Sequence, residues 1–111
     1  MANERWEVIL QIQLGLPWRQ ASAEQRKEAH AEFLEMAKKW KASGIRLIGT
    51  FTFPHVLNGY SNNWFFGIDN DTQMDQINRD IMGSQFGKII EDFSLANGGA
   101  NADFEENWRS W

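Results

Sequence analysis

Hydrophobic and polar residues alternate along the first stretch of the chain. Trp6, Val8, Leu10, Ile12 and Leu14 fall on one side, and Glu7, Ile9, Gln11 and Gln13 on the other. A period of two predicts a β-strand over 6–14. Gly15 to Ala21, with Pro17, reads as a loop. Ser22 followed by Gln25 is a capping-box pattern and predicts a helix that runs to about Ala42 and stops at Gly44. The apolar stripe of that helix is read as Phe33, Leu34, Ala37 and Trp40, with His30 one turn before it and pointing toward the sheet.

A second strand is predicted from Ile45 to Phe53, with Ile45, Leu47, Gly49, Phe51 and Phe53 on one face, ended by Pro54. Asn58-Gly59 is a tight-turn signal, and a third strand follows from Tyr60 to Ile68. Asp69 to Asp71 punctuate the start of a second helix. Met74, Ile77 and Ile81 form its stripe, and Phe86, Ile89, Ile90 and Phe93 extend the helical spacing past Gly83 to about Leu95. Phe104, Trp108 and Trp111 make the last nine residues, 103–111, aromatic enough to be read as a docked fourth strand. The order β-α-β-β-α-β is that of a ferredoxin-like α+β domain, a four-stranded antiparallel sheet with both helices on one face. At 111 residues the chain fits one such domain, 1–111.

Composition narrows the chemistry. The hydrophobic fraction of 42% and charged fraction of 23% are those of a globular protein, but six Trp and eight Phe are more than a small core needs. Rings in that number line pockets for flat ligands or interfaces. A formal net charge of −4 speaks against a nucleic-acid partner. No apolar run approaches the length of a membrane span, and the first residues lack the apolar core of a signal peptide, so a cytoplasmic protein is expected. With no Cys, disulfides and thiolate chemistry are excluded. The two histidines, His30 and His55, have no metal-ligand spacing, and no metal or cofactor is expected.

The first three strands carry apolar residues on both faces, with Ile9, Ile48 and Phe65 opposite the main stripes. A sheet face of that kind needs a cover, which a second copy of the chain would supply as a homodimer. On this element order, on the aromatic third strand Asn62-Asn63-Trp64-Phe65-Phe66 and on the helix-one histidine, the sequence resembles the dimeric α/β-barrel superfamily over nearly its whole length. The resemblance implies two sheets paired into a barrel with the helices outside and a ligand site between sheet and helices of each subunit. That superfamily includes cofactor-free oxygenases of polycyclic phenols, heme-degrading oxygenases, lactone isomerases and stress-response proteins. Several of the oxygenases set an Asn and a Trp near the substrate, a pairing similar to Asn62 and Trp64. The heme-degrading branch relies on a histidine of the second helix, and none lies between Thr72 and Leu95.

The candidate catalytic residues are therefore His30, His55, Trp64 and Asn62. Gln11, Phe33, Trp40, Phe51, Tyr60 and Phe66 are the candidate substrate contacts. A histidine titrates near neutral pH and can take a phenol's proton, and an indole N–H or an amide can donate to the anion that forms. The expected activity is a cofactor-independent oxygenase of a small electron-rich aromatic, hydroxyindole-type or quinol-type, in which the deprotonated substrate reduces dioxygen. The alternatives are a cofactor-free isomerase, lyase or hydrolase in the same pocket, and a non-catalytic dimer that binds a hydrophobic ligand.

Overall fold

The structure is a computed structural model that describes residues 6–52 and 59–98. His55, with the loop around it, and the aromatic tail at 103–111 lie outside the described residues.

Strand β1 spans Trp6–Gln13. A short helix, α1 (Gly15–Gln20), occupies the stretch expected to be loop. It is tied down by Arg26, whose guanidinium donates to the carbonyls of Ala21 at 2.8 Å and Trp18 at 3.3 Å. Helix α2 spans Ala23–Ala42 and begins with the capping box: Gln25 N–H donates to Ser22 Oγ at 3.0 Å, and Ser22 N–H donates to Gln25 Oε1 at 2.8 Å. Gly44 closes it with φ +96°, a left-handed turn that glycine adopts without penalty. Strands β2 (Arg46–Thr52) and β3 (Asn62–Ile68) follow, then α3 (Asp71–Met82), capped by Asn70, the single-turn α4 (Gln85–Lys88) and β4 (Asp92–Gly98).

The fourth strand thus begins where the sequence pattern still read helix. Gly83 ends α3, and Ser84 starts a separate turn: its Oγ accepts from Gly87 N–H at 2.9 Å and donates to the Ile81 carbonyl at 2.7 Å. Glu32 of α2 caps the same turn by accepting from Phe86 N–H at 2.8 Å. From Asp92 on, the chain pairs antiparallel with β1, Phe93 opposite Ile12 and Leu95 opposite Leu10. The period-two pair Phe93 and Leu95 serves the sheet, while Phe86 and Ile90 are buried through the turn before it.

The strand order is β2-β3-β1-β4, all neighbours antiparallel. This is the ferredoxin-like order. Val8, Leu10, Ile12, Phe66 and Ile68 form the helix-facing side and pack against Ala29, Phe33, Met36 and Trp40 of α2 and Ile77 and Ile81 of α3.

Two faces differ from the expected pattern. On α2 the core row is Ala29, Phe33, Met36 and Trp40, spaced at i, i+4, i+7 and i+11. His30 is exposed rather than turned to the sheet, and Leu34 is 42% exposed. They begin a second row, 30, 34, 37 and 41, one residue round the helix. On β2 a bulge at Ile48 breaks the alternation: Leu47 pairs with Phe66, and Gly49, not Ile48, pairs with Phe65. Leu47 therefore stays on the helix side, whereas Phe51 moves to the opposite face. There its ring meets Phe65 edge to face at 5.3 Å.

That opposite face is covered by no element among the described residues. Ile9, Phe51 and Phe65 lie on it, and Phe51 is 54% exposed.

Candidate functional site

On the helix side, α2 sits over β3 and leaves the β2 edge open. Between them runs a groove of about 880 Å³. Its helix wall is Ala31, Leu34, Ala37 and Lys41, with Glu35 and Lys38 at the mouth. Its floor and far wall are Trp40, Ile45, Leu47, Trp64 and Phe66, with Gly44 and Arg46 at the end where α2 turns into β2.

Local rules build each wall. Leu34, Ala37 and Lys41 recur at i, i+3 and i+7, so they share one helix face. Two small residues, Ala31 and Ala37, leave the volume that larger side chains would fill. Trp64 and Phe66 are two apart on β3, so both point to the helix side. Their rings lie nearly parallel, 16° between planes and 6.1 Å between centroids, and stack along the strand as one aromatic panel.

The panel is braced from behind. Phe33 meets Trp64 at 4.9 Å and Trp40 at 5.8 Å, and Trp40 meets Phe66 at 5.7 Å, all edge to face. Trp40 is fully buried, yet its indole N–H is satisfied, donating to Asp80 of α3 at 2.8 Å. A buried ring held by that bond has no freedom to swing into the groove.

The ten sequence-predicted residues do not all come together. Trp40, Trp64 and Phe66 come together in the groove, with Phe33 directly behind. Asn62 begins β3 on the same sheet face, opposite Ile12, and donates to Ser61 Oγ at 3.1 Å. His30 lies one turn before Leu34 on the groove-side row of α2, exposed and not part of the wall. Gln11 and Phe51 are on the uncovered face of the sheet, away from the groove. Tyr60, just before β3, donates its phenol to the Asp92 carboxylate at the start of β4. His55 lies outside the described residues.

Leu34, Leu47, Lys41 and Arg46 are groove residues that sequence reasoning passed over. The signal for the helix residues was present. Positions 34, 37 and 41 form a row of their own, distinct from the row at 29, 33, 36 and 40 that fills the core. Leu47 shares the face of Ile45 by plain alternation, and the bulge at Ile48 changes the faces only beyond it.

No three His, Cys, Asp or Glu side chains among the described residues converge as a metal site. Among the same residues no helix is long and apolar enough to cross a membrane.

Neither a protein-family model nor a curated protein matches the sequence. Among solved structures, the fold is similar to that of a heme-binding protein from Thermus thermophilus, with a TM-score of 0.59 at 16% identity. The likeness covers 87% of this chain and 42% of that one, so this chain spans less than half the neighbour's length. At that identity the likeness defines the class by fold, a ferredoxin-like α+β domain.

Tyr60 is the chain's one tyrosine, which makes its titration readable. The hydrogen bond to Asp92 is the main cause that raises its pKa above the ordinary phenol value, with burial and the negative charge of Asp92 adding in the same direction. The protonated phenol is the form that donates, so this bond is present at neutral pH. It is lost only as pH rises through the raised pKa. Absorbance titration should place the phenol's midpoint above about 10, and Asp92→Ala should lower it. A wild-type midpoint at or below the ordinary value would contradict the bond.

Proposed function

We propose that the chain binds a flat, largely apolar small molecule in the groove between α2 and the β2–β3 edge. The observation that carries this reading is an open groove of about 880 Å³ whose floor is aromatic, with Trp64 stacked on Phe66 and Trp40 beside them. The volume lies within the range of about 300–1,000 Å³ that small-molecule sites occupy. A planar ligand rests on Trp64, the half-buried ring of the pair, and is enclosed on its other side by Leu34 and Ala37. Each fully buried apolar group of side-chain size contributes about 1.5–3 kcal/mol.

The structural neighbour's description as a heme-binding protein fits the flat shape of the groove but not a heme iron site within it. Among the described residues the lining holds no histidine, cysteine, methionine or tyrosine, the side chains that hold heme iron. The reading is therefore of a planar body, with no iron ligation.

Leu34 tests the reading with little risk to the fold, because it is 42% exposed and outside the core. A neutral planar probe, pyrenebutanol, should bind with energy transfer from tryptophan to pyrene. Leu34→Glu should weaken it by about 10- to 100-fold, since a carboxylate would then face the apolar ligand. Unchanged affinity in that variant, with the far-ultraviolet dichroism intact, would place the ligand elsewhere.

A second reading, base-assisted oxygenation, is supported by the position of His30. It continues the row of Leu34, Ala37 and Lys41 by one turn, toward the end of the groove where Asn62 begins β3. There an imidazole can take the proton of a phenol whose ring lies on Trp64, and the electron-rich anion then reduces dioxygen. Metal-free protein given hydroxyindoles and quinols should consume oxygen, and His30→Ala should slow this by about 100-fold or more, the usual effect of losing a general base. No uptake with either substrate class, or full activity in the variant, would remove this reading and leave binding alone.

A further inference from the structure

We propose that the ligand of this groove is a planar carboxylate, oriented with its anionic group at the Lys41 end and its ring on Trp64. The inference rests on the planar-ligand reading above and adds the ligand's charge and direction. Three cations, Lys38, Lys41 and Arg46, belong to residues along the groove, with one carboxylate, Glu35, among the described residues. Arg46 pairs with Gly67 and lays its guanidinium over that glycine on the opposite face of the sheet, so the groove side itself carries Lys38 and Lys41.

The three cations are not equally engaged. Lys38 is paired with Glu35 at 3.0 Å, and Arg46 with Asp69 at 2.9 Å, both pairs well exposed. Lys41 makes no ion pair among the described residues. It stands in the last turn of α2, one turn past Ala37 on the same row, and lines the groove there. A lysine in that place can lay its apolar stem along the wall and keep its ammonium in water. The apolar floor and the charged end together select a molecule that is flat and apolar at one end and anionic at the other.

The experiment compares two probes with the same ring system, pyrenebutyrate and pyrenebutanol, and adds dodecanoate as a competitor. The wild type should bind pyrenebutyrate about 3- to 10-fold more tightly than pyrenebutanol, the range expected for one partly exposed charge pair. Lys41→Gln should bring that ratio close to one, Glu35→Gln should raise it, and added salt should shrink it. Dodecanoate should displace pyrenebutyrate poorly. Equal affinities for the two probes, or a ratio that survives Lys41→Gln, would overturn the inference while leaving the planar site in place. Displacement by dodecanoate as effective as by pyrenebutyrate itself would make the ligand a chain-like acid and overturn it too. Failure of both pyrene probes to bind would instead overturn the planar-ligand reading.

Discussion

The seating of α2 on β3 through four aromatic rings is the contact on which the rest of the molecule depends. Phe33 and Trp40 reach down from the helix, and Trp64 and Phe66 rise from the strand, with centroid separations of 4.9 to 6.1 Å. Rings of this size fix where the helix lies across the sheet as well as how firmly. Edge-to-face pairs add about 0.5–1.5 kcal/mol each beyond the area they bury. With α2 held over β3, the edge strand β2 keeps its helix-facing Leu47 open, 56% exposed, and the groove is the space that remains.

The same contact divides α2 into two rows with different work. The row at 29, 33, 36 and 40 is buried and sets the fold, and the bond from Trp40 to Asp80 ties it to α3. The row beginning at His30 and continuing through Leu34, Ala37 and Lys41 faces the open edge. Changes in the second row therefore alter the groove at small cost to stability, because exposed side chains outside the core contribute little. The structure keeps binding chemistry apart from packing in this way, on one helix.

Much of the fold was legible in the sequence where the causes were local. The alternation from Val8 to Ile12, the Ser22–Gln25 capping box and the stop at Gly44 all depend on neighbouring residues and were readable as such. The fourth strand was not. Phe86, Ile89, Ile90 and Phe93 satisfy a helical spacing by coincidence, and only pairing with β1 turns 92–98 into a strand. The face of α2 was read one residue off, because Ala29 and Met36 signal the core weakly beside Leu34 and His30. Phe51 was set on the wrong face because the bulge at Ile48 arises from registry with β3, which no local pattern encodes. Of the candidate site, the aromatic floor and the shared face of Ile45 and Leu47 were legible, and the groove row of α2 at 34, 37 and 41 was not told apart from the core row.

The central claim is that a flat ligand rests on Trp64 between α2 and β2, and indole N–H signals in a nitrogen-15 spectrum test it most directly. On titration with pyrenebutanol, the ring current of the probe should move the Trp64 indole signal most and Trp40 next. Trp18, which packs on Phe86 at 6.1 Å, should stay in place. Backbone shifts should gather at Leu34, Ala37 and Leu47. Shifts centred instead on Ile9, Phe51 and Phe65, the opposite face of the sheet, would contradict the account.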